Sequence, residues 1–197
     1  MKKVGLLGGG FDPIHISHID IANLALEALH LDEIHLIPTG ISGQKQSFYA
    51  SKIERLDMLR LAINDSKNNK IKINEIEIKK DEISYTIETI KKIPENNIYT
   101  LILGSDQLNN FSSWNKWQDI LDIVNIAIAP RYNHPILIPE IVLEKLNQNK
   151  KSITIIPLKP SNISSTYIRK CIKTSINASN LLNHKVLKYI IENNLYK

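Results

Sequence analysis

The sequence predicts an α/β fold, a doubly wound parallel sheet with helices on both faces. Short apolar runs alternate with amphipathic helical stretches along the chain, the pattern of a parallel sheet. The first run, Val4 to Leu7, opens into Gly8-Gly9-Gly10, after which Ile19, Ala22, Leu26 and Leu29 recur at helical spacing. A content of 43% hydrophobic residues over 197 positions can supply one sizeable core. No linker, repeat or low-complexity segment divides the chain, so residues 1–197 read as a single domain, with closing helices over 158–197.

The elements follow in order. Glu33 to Pro38 is a second strand, and with the first strand and helix it makes a right-handed βαβ unit. His35 sits inside this strand, where a structural role fits it better than a catalytic one. Thr39 to Ala50 is a polar loop leaving the same sheet edge as the glycine turn. Its Lys45 could reach a phosphate there or simply face solvent. Ser51 to Asn64 is a helix, opened by a Ser51/Glu54 capping box, with Arg55 and Arg60 on its polar side. Ile71 to Ile78 alternates like a half-exposed strand. Ser84-Tyr85-Thr86 starts a helix through Lys92, with Ser84 read as a cap. Ile98 to Leu103 is a strand ending in Gly104-Ser105-Asp106, and Asp122 to Ala129 is another, ending at Pro130-Arg131. Pro139 to Asn147 is a helix, Ile153 to Pro157 a strand. Ser164, Ser165 and Thr166 then open a helix carrying Arg169, and Asn183 to Tyr196 is an amphipathic helix.

The glycine turn is where an open α/β sheet places its ligand, outside the carboxyl ends of its strands. Glycine lets the backbone bend sharply and lets a ligand approach it closely, and the helix start behind offers free N–H groups that suit phosphate. His15 and His18 are three apart and share a helix face, so they could grip one anion together. A metal site fits them less well, because Asp12 serves better to tie down the turn before Pro13. The stretch is neither a G-x-G-x-x-G fingerprint nor a P-loop. Ser164, Ser165 and Arg169 make a second anion site of hydroxyls, N–H groups and a guanidinium. Asp106 suits ribose hydroxyls. Of the tryptophans, Trp117 is expected in the core and Trp114 exposed, able to stack on a flat ring.

Several classes are set aside by composition. No apolar run approaches the ~20 residues of a membrane span. Met1-Lys2-Lys3-Val4 enters the first strand directly, so no secretory signal is expected, and Cys171 is the only cysteine. These features fit a cytoplasmic protein without a membrane partner. Net charge is +5, but the lysines are scattered among asparagines and isoleucines with no basic stripe or interleaved aromatics, so no nucleic-acid partner is expected. Only four of the 25 basic residues are arginines, Arg55, Arg60, Arg131 and Arg169, so each is a candidate for a geometric task. No Ser-His-Asp or Cys-His arrangement argues for a nucleophile.

Gly8 to His18 resembles the (G/T)xFDPxHxxH signature of the nucleotidyltransferase superfamily, whose two histidines bind nucleotide phosphates. Further motifs, in the right order, resemble those of bacterial nicotinate-nucleotide adenylyltransferases. Ser84-Tyr85-Thr86 matches the SYT motif beside the nicotinate carboxylate. Gly104-Ser105-Asp106 matches the GxD motif near the ribose. Trp114-Asn115-Lys116-Trp117 matches the WHRW-like segment whose first tryptophan stacks on the pyridine. Ile163 to Arg169 matches the ISSTxIR phosphate motif. The sequence departs at Gly10, where the family usually has Thr or Ser, at Ser17, where it has Gly, and at Gly40 to Lys45, which lacks the common PPHK. Pantetheine-phosphate adenylyltransferases share the first signature but not the tryptophan segment.

The resemblance implies a Rossmann-like fold and adenylyl transfer from ATP to nicotinate mononucleotide, giving deamido-NAD and pyrophosphate. It implies catalytic roles for His15, His18, Lys45 and Arg169. The ATP site would comprise Gly8, Gly9, Gly10, Phe11, Arg131, Ser164 and Ser165 beside the same histidines and Arg169. The nicotinate nucleotide would meet Thr86, Asp106, Trp114 and Asn115. Mg²⁺ is expected to arrive on the ATP phosphates, since the sequence has no clustered carboxylate cage. Homo-oligomerisation is left open.

Overall fold

The first strand, β1 (Lys3–Gly9), lies inside a six-stranded, all-parallel sheet. This is a computed structural model describing residues 1–42, 47–66 and 68–197. In chain order, α1 (Ile16–Ala28), β2 (Glu33–Pro38), β3 (Ile41–Ser42), α2 (Lys52–Ser66), β4 (Ile71–Ile73) and β5 (Ile83–Ser84) follow. Next come α3 (Thr86–Lys92), β6 (Ile98–Gly104), α4 (Ser105–Asn109), α5 (Trp117–Ile123) and β7 (Asn125–Ala129). The chain continues with α6 (Glu140–Gln148), β8 (Ile153–Ile155), α7 (Ser165–Lys173) and α8 (His184–Glu192). The sheet order is β4-β2-β1-β6-β7-β8, so the fold is Rossmann-like and doubly wound. β3 and β5 form a separate two-stranded parallel ribbon.

Alternation along the central strands sorts their side chains into two cores. In β7, Ile126 and Ile128 face one layer and Ala127 and Ala129 the other. The alanine side packs under α1, α2, α7 and α8, through residues such as Ala22, Met58, Ile168 and Val186. The isoleucine side packs under α3, α5 and α6, through Ile87, Ile120 and Leu146. Each buried Val, Leu, Ile or Met among them contributes about 1.5–3 kcal/mol. Trp117 is buried in the second core, as the sequence suggests.

The order of strands reverses between β1 and β6, which are neighbours. Their loops therefore run off in opposite directions and leave a crevice between their carboxyl ends. All six strands point the same way, so the turns after β1, β6 and β7 meet at that edge.

Three element boundaries fall three or more residues from the sequence expectation. The strand expected over Ile71 to Ile78 stops at Ile73, because Asn74 Oδ1 accepts the Ile76 amide and turns the chain. The strand expected from Asp122 starts at Asn125, because α5 runs to Ile123. Lys151 Nζ donates to the carbonyls of Leu121, Asp122 and Val124 and so caps that helix from a distance. The last helix stops at Glu192 in a Schellman turn. There Asn194 has φ 53°, and the amides of Asn194 and Leu195 bond Ile191 O and Ile190 O. The Ser51/Glu54 capping box is present in both directions, at 3.2 and 2.7 Å.

Candidate active site

The turn after β1 is built around two side chains that fold over it. Phe11 sits at φ 47° with its ring 2% exposed, and burial of that ring holds a backbone conformation that costs a non-glycine residue energy. A Cβ on Gly10 would stand 2.6 Å from the Phe48 ring. A Thr or Ser at this position therefore has no room unless Phe48 moves. Arg55 lies behind this turn at 1% exposure, not on the polar side of α2 as its sequence position suggests. Its guanidinium donates to Gly10 O at 2.8 Å and lies 4.0 Å from the centre of the Phe48 ring. Burial lowers its pKa, with Asp12 and Tyr196 opposing. The ordinary value is so high that the charge remains.

Asp12 is the turn's anchor. Its Oδ2 accepts the Tyr49 amide at 2.7 Å, and its Oδ1 accepts the Ala50 amide at 3.1 Å and the Tyr196 hydroxyl at 2.7 Å. It thus ties the turn to two distant segments rather than bonding within it. The start of α7 is fastened to the same turn. Ser165 Oγ donates to Pro13 O at 2.9 Å, and Arg169 donates to Asp12 O at 2.7 Å while its guanidinium lies 4.4 Å from the centre of the Tyr49 ring. Ser164 Oγ accepts the Tyr167 amide as the N-cap of α7. In this structure these hydroxyls and Arg169 brace the fold around the turn.

His15 immediately precedes α1 and His18 lies in its first turn. Their rings stack at 3.8 Å, and Phe11 meets His18 edge-on at 4.9 Å. The His15 amide donates to His18 Nδ1 at 3.2 Å, which assigns the proton of a neutral His18 to Nε2. Burial first, and the nearby Arg131 charge second, push the His15 pKa down to about 3. His15 is therefore a neutral imidazole at neutral pH, a donor rather than the cation its position invites. Its buried Nδ1 makes no hydrogen bond among the described residues.

Both histidines line a cavity of about 360 Å³ with Asp106, Arg131, Ser161 and Ser164. Arg131 Nε stands 2.9 Å from Asp106 Oδ1. The two atoms are close but poorly aligned, since neither completes a hydrogen bond. Gly104 leaves room for them, since a Cβ there would fall 2.3 Å from Asp106 Oδ1 and 2.5 Å from Arg131 Nε and the two side chains would have to shift. Ser105, wholly buried, accepts the Arg131 amide at 3.0 Å and donates to His134 O at 2.7 Å. It fixes the loop after β7 to the end of β6. A further cavity of about 660 Å³ continues along that loop from Pro130 to Ile136. At the start of α1, Ser17 Oγ meets Ser161 Oγ at 3.2 Å.

The structure thus gathers His15, His18, Asp106, Arg131 and Ser164 in one cavity. Gly8, Gly9, Gly10 and Phe11 form the turn beside it, and Ser165 and Arg169 brace that turn. Thr86, Trp114 and Asn115 are outside this cavity's lining. Thr86 opens α3 on the opposite core, and Ser84 belongs to β5, so it is not the helix cap; Tyr85 holds that position without a side-chain bond. Trp114 is partly buried, 5.3 Å from Phe111, with its Nε1 unpartnered among the described residues, and Asn115 is exposed. Lys45 lies outside the described residues. No local spacing points to the parts that Arg55, Ser105 and Tyr196 play around this turn. Only the scarcity of arginine in the chain hints at the first.

Comparison with known proteins gives a consistent picture. Residues 6–171 match the cytidylyltransferase-like family. A probable nicotinate-nucleotide adenylyltransferase of Clostridium botulinum is 37% identical over 205 residues, covering all of both chains. One from Bordetella petrii is 34% identical over 197 residues, again end to end. In structure, the chain is similar to Plasmodium falciparum nicotinic acid mononucleotide adenylyltransferase complexed with NaAD. The TM-score is 0.81 at 25% identity, covering 100% of this chain and 98% of that one.

Proposed function

The chain belongs to the cytidylyltransferase-like family and, within it, to the nicotinate-nucleotide adenylyltransferases, and on that premise we propose how its own residues carry the reaction. The enzyme transfers the adenylyl group of ATP to nicotinate mononucleotide, giving deamido-NAD and pyrophosphate. The observation that carries our assignment of roles is the single cavity at the strand reversal, holding the stacked histidines opposite Arg131 and Asp106.

A phosphate oxygen of nicotinate mononucleotide attacks the α-phosphorus of ATP. That P–O bond forms as the bond from the α-phosphorus to the bridging oxygen breaks, and pyrophosphate leaves with the electron pair. The nucleophile is already an anion, so no general base is needed, and positioning with charge stabilisation supplies the catalysis. His18 Nε2 and the neutral His15 imidazole donate to the triphosphate. Arg131 adds a fixed charge beside them. The backbone of Gly8 to Phe11 gives the phosphates close approach, and the α7 start at Ser164 offers its amides. Asp106 accepts a ribose hydroxyl, while Thr86, Trp114 and Asn115 receive the nicotinate end. Lys45 completes the phosphate contacts on the strength of sequence alone. Ser165 and Arg169 reach the phosphates through the turn they hold.

Among the described residues no group of three or more His, Cys, Asp or Glu could share a metal ion. The chemistry of the donors fits Mg²⁺ carried in by ATP phosphates, where it neutralises charge. The chain works as one domain over 1–197, in the cytoplasm, with ATP and nicotinate mononucleotide as its partners. Among the described residues no helix is long and apolar enough to cross a membrane.

The test is pyrophosphate release with ATP and Mg²⁺, comparing nicotinate mononucleotide, nicotinamide mononucleotide and phosphopantetheine. Release with the first at least about tenfold faster than with the others, ~1.4 kcal/mol of discrimination, is expected. No release with any of them, from folded protein that binds ATP, would overturn the reading in favour of a nucleotide sensor.

A further inference from the structure

Tyr196 lies beyond the last helix, far in sequence from every motif of the site, yet its hydroxyl donates to Asp12 Oδ1 at 2.7 Å. We infer that Tyr196 is a positioning residue for adenylyl transfer, acting through Asp12 on the turn that carries His15.

Two independent features support this. The first is how the chain delivers the side chain. The Schellman turn at Asn194 reverses the backbone, and Tyr196 itself sits at φ 63°. A left-handed tyrosine persists only where its surroundings hold it, and here, among the described residues, its hydroxyl meets Asp12 Oδ1 and, at 4.0 Å, Met58 Sδ. The second is the place of Asp12. Among the described residues its carboxylate has three donors: the amides of Tyr49 and Ala50, and the Tyr196 hydroxyl. Its carbonyl takes Arg169. Asp12 stands between Phe11, at φ 47°, and Pro13, whose carbonyl takes Ser165. Two residues on is His15. Of these described donors Tyr196 is the one that comes from a side chain, so a substitution can remove it without touching the backbone. Burial and the neighbouring carboxylate push the tyrosine pKa far above its usual range, so the hydroxyl keeps its proton and remains a donor.

Losing this bond leaves a partly desolvated carboxylate short of one partner, which is more costly than the bond itself is worth. The carboxylate then shifts to recruit another donor, and Phe11 to His15 shift with it. The effect falls on the triphosphate side of the site and not on the nicotinate side.

This inference rests on the adenylyltransferase reading, which parent turnover tests separately. The experiment is steady-state pyrophosphate release by Tyr196→Phe, with ATP and nicotinate mononucleotide varied in turn. Phe keeps the ring against Met58 and removes only the hydroxyl. The expected result is a loss of about tenfold in kcat/KM for ATP, shared between KM and kcat, with KM for nicotinate mononucleotide unchanged. A double-mutant cycle with Asp12→Asn is the second measurement. The tyrosine effect is expected to shrink several-fold in the Asn background. Kinetics unchanged from the parent with a lowered melting temperature would reduce Tyr196 to a structural brace and overturn the inference, as would full additivity in the cycle. An active parent with an unaffected variant refutes Tyr196 alone. An inactive parent refutes the reading beneath it.

Discussion

Stability should fall with acid through one residue of the site, and the size of the fall follows from its burial. His15 is 5% exposed and keeps its imidazole neutral until about pH 3, against an ordinary value of 6.5. In the unfolded chain the same ring takes up a proton near pH 6.5. Between these values the unfolded state binds more protons, so stability drops as pH falls, and the loss is complete below about 3. Each pH unit in that window costs ~1.4 kcal/mol. From pH 7 to pH 5 the His15 share is therefore about 2 kcal/mol. The assay is urea unfolding of the parent and His15→Asn at both pH values, read as the difference between the two proteins. Groups common to both, such as Glu77, whose pKa is raised by burial, cancel in that difference. The parent should lose about 2 kcal/mol more than the variant. Equal losses would mean that the imidazole is solvated or protonated in the folded state, and the neutral-donor role would fall with it.

Three further substitutions probe the site by other routes. His18→Ala removes the Nε2 donor and should cut kcat about a hundredfold, ~3 kcal/mol, in pyrophosphate release. Near-parent turnover would remove His18 from the mechanism. Gly104→Ala places a methyl 2.3 Å from Asp106 Oδ1, so the Arg131–Asp106 pair must separate. A displacement on the scale of ~1 Å should cost up to about a hundredfold in kcat/KM, with circular dichroism unchanged. Arg55→Met strips the buried donor from Gly10 O and should lower unfolding stability by about 1–3 kcal/mol, measured in urea. An unchanged midpoint would show that the guanidinium is dispensable to the turn.

Local signals in the sequence are reliable here where a short stretch decides its own conformation. The Ser51/Glu54 box, the second strand from Glu33 to Pro38 and the burial of Trp117 follow from spacing alone. The gathering of His15 and His18 beside Asp106 follows from parallel strands ending on one edge. What spacing cannot carry is a partner far along the chain. Arg55 reads as a polar helix residue because the carbonyl it serves is 45 positions earlier. The end of α5 depends on Lys151, and the Asp12 carboxylate on Tyr196. Helix ends are also hidden because this chain rarely marks them with glycine. His30, Lys150, Ser175 and Asn194 take the left-handed position after their helices instead.

The same long-range partnering explains how a site for a polyphosphate exists without an excess of uncommitted charge. Among the described residues, the arginines near the turn are each engaged: Arg55 with Gly10 O, Arg169 with Asp12 O, and Arg131 with Asp106. His15 is kept neutral by burial beside Arg131. Of these engagements only the Arg131 pair is both half-exposed and misaligned, with side chains 39% and 27% exposed. Such a pair holds its members by no more than ~1 kcal/mol. A triphosphate entering the cavity can take Arg131 at little cost, and the carboxylate it releases is then an acceptor of the kind a ribose hydroxyl needs. The other two arginines, tied to backbone carbonyls, keep the turn in place while this exchange occurs. On the proposed assignment, affinity for the nucleotide follows from geometry near Asp106 and Arg131 and not from the net charge of +5 spread over the surface.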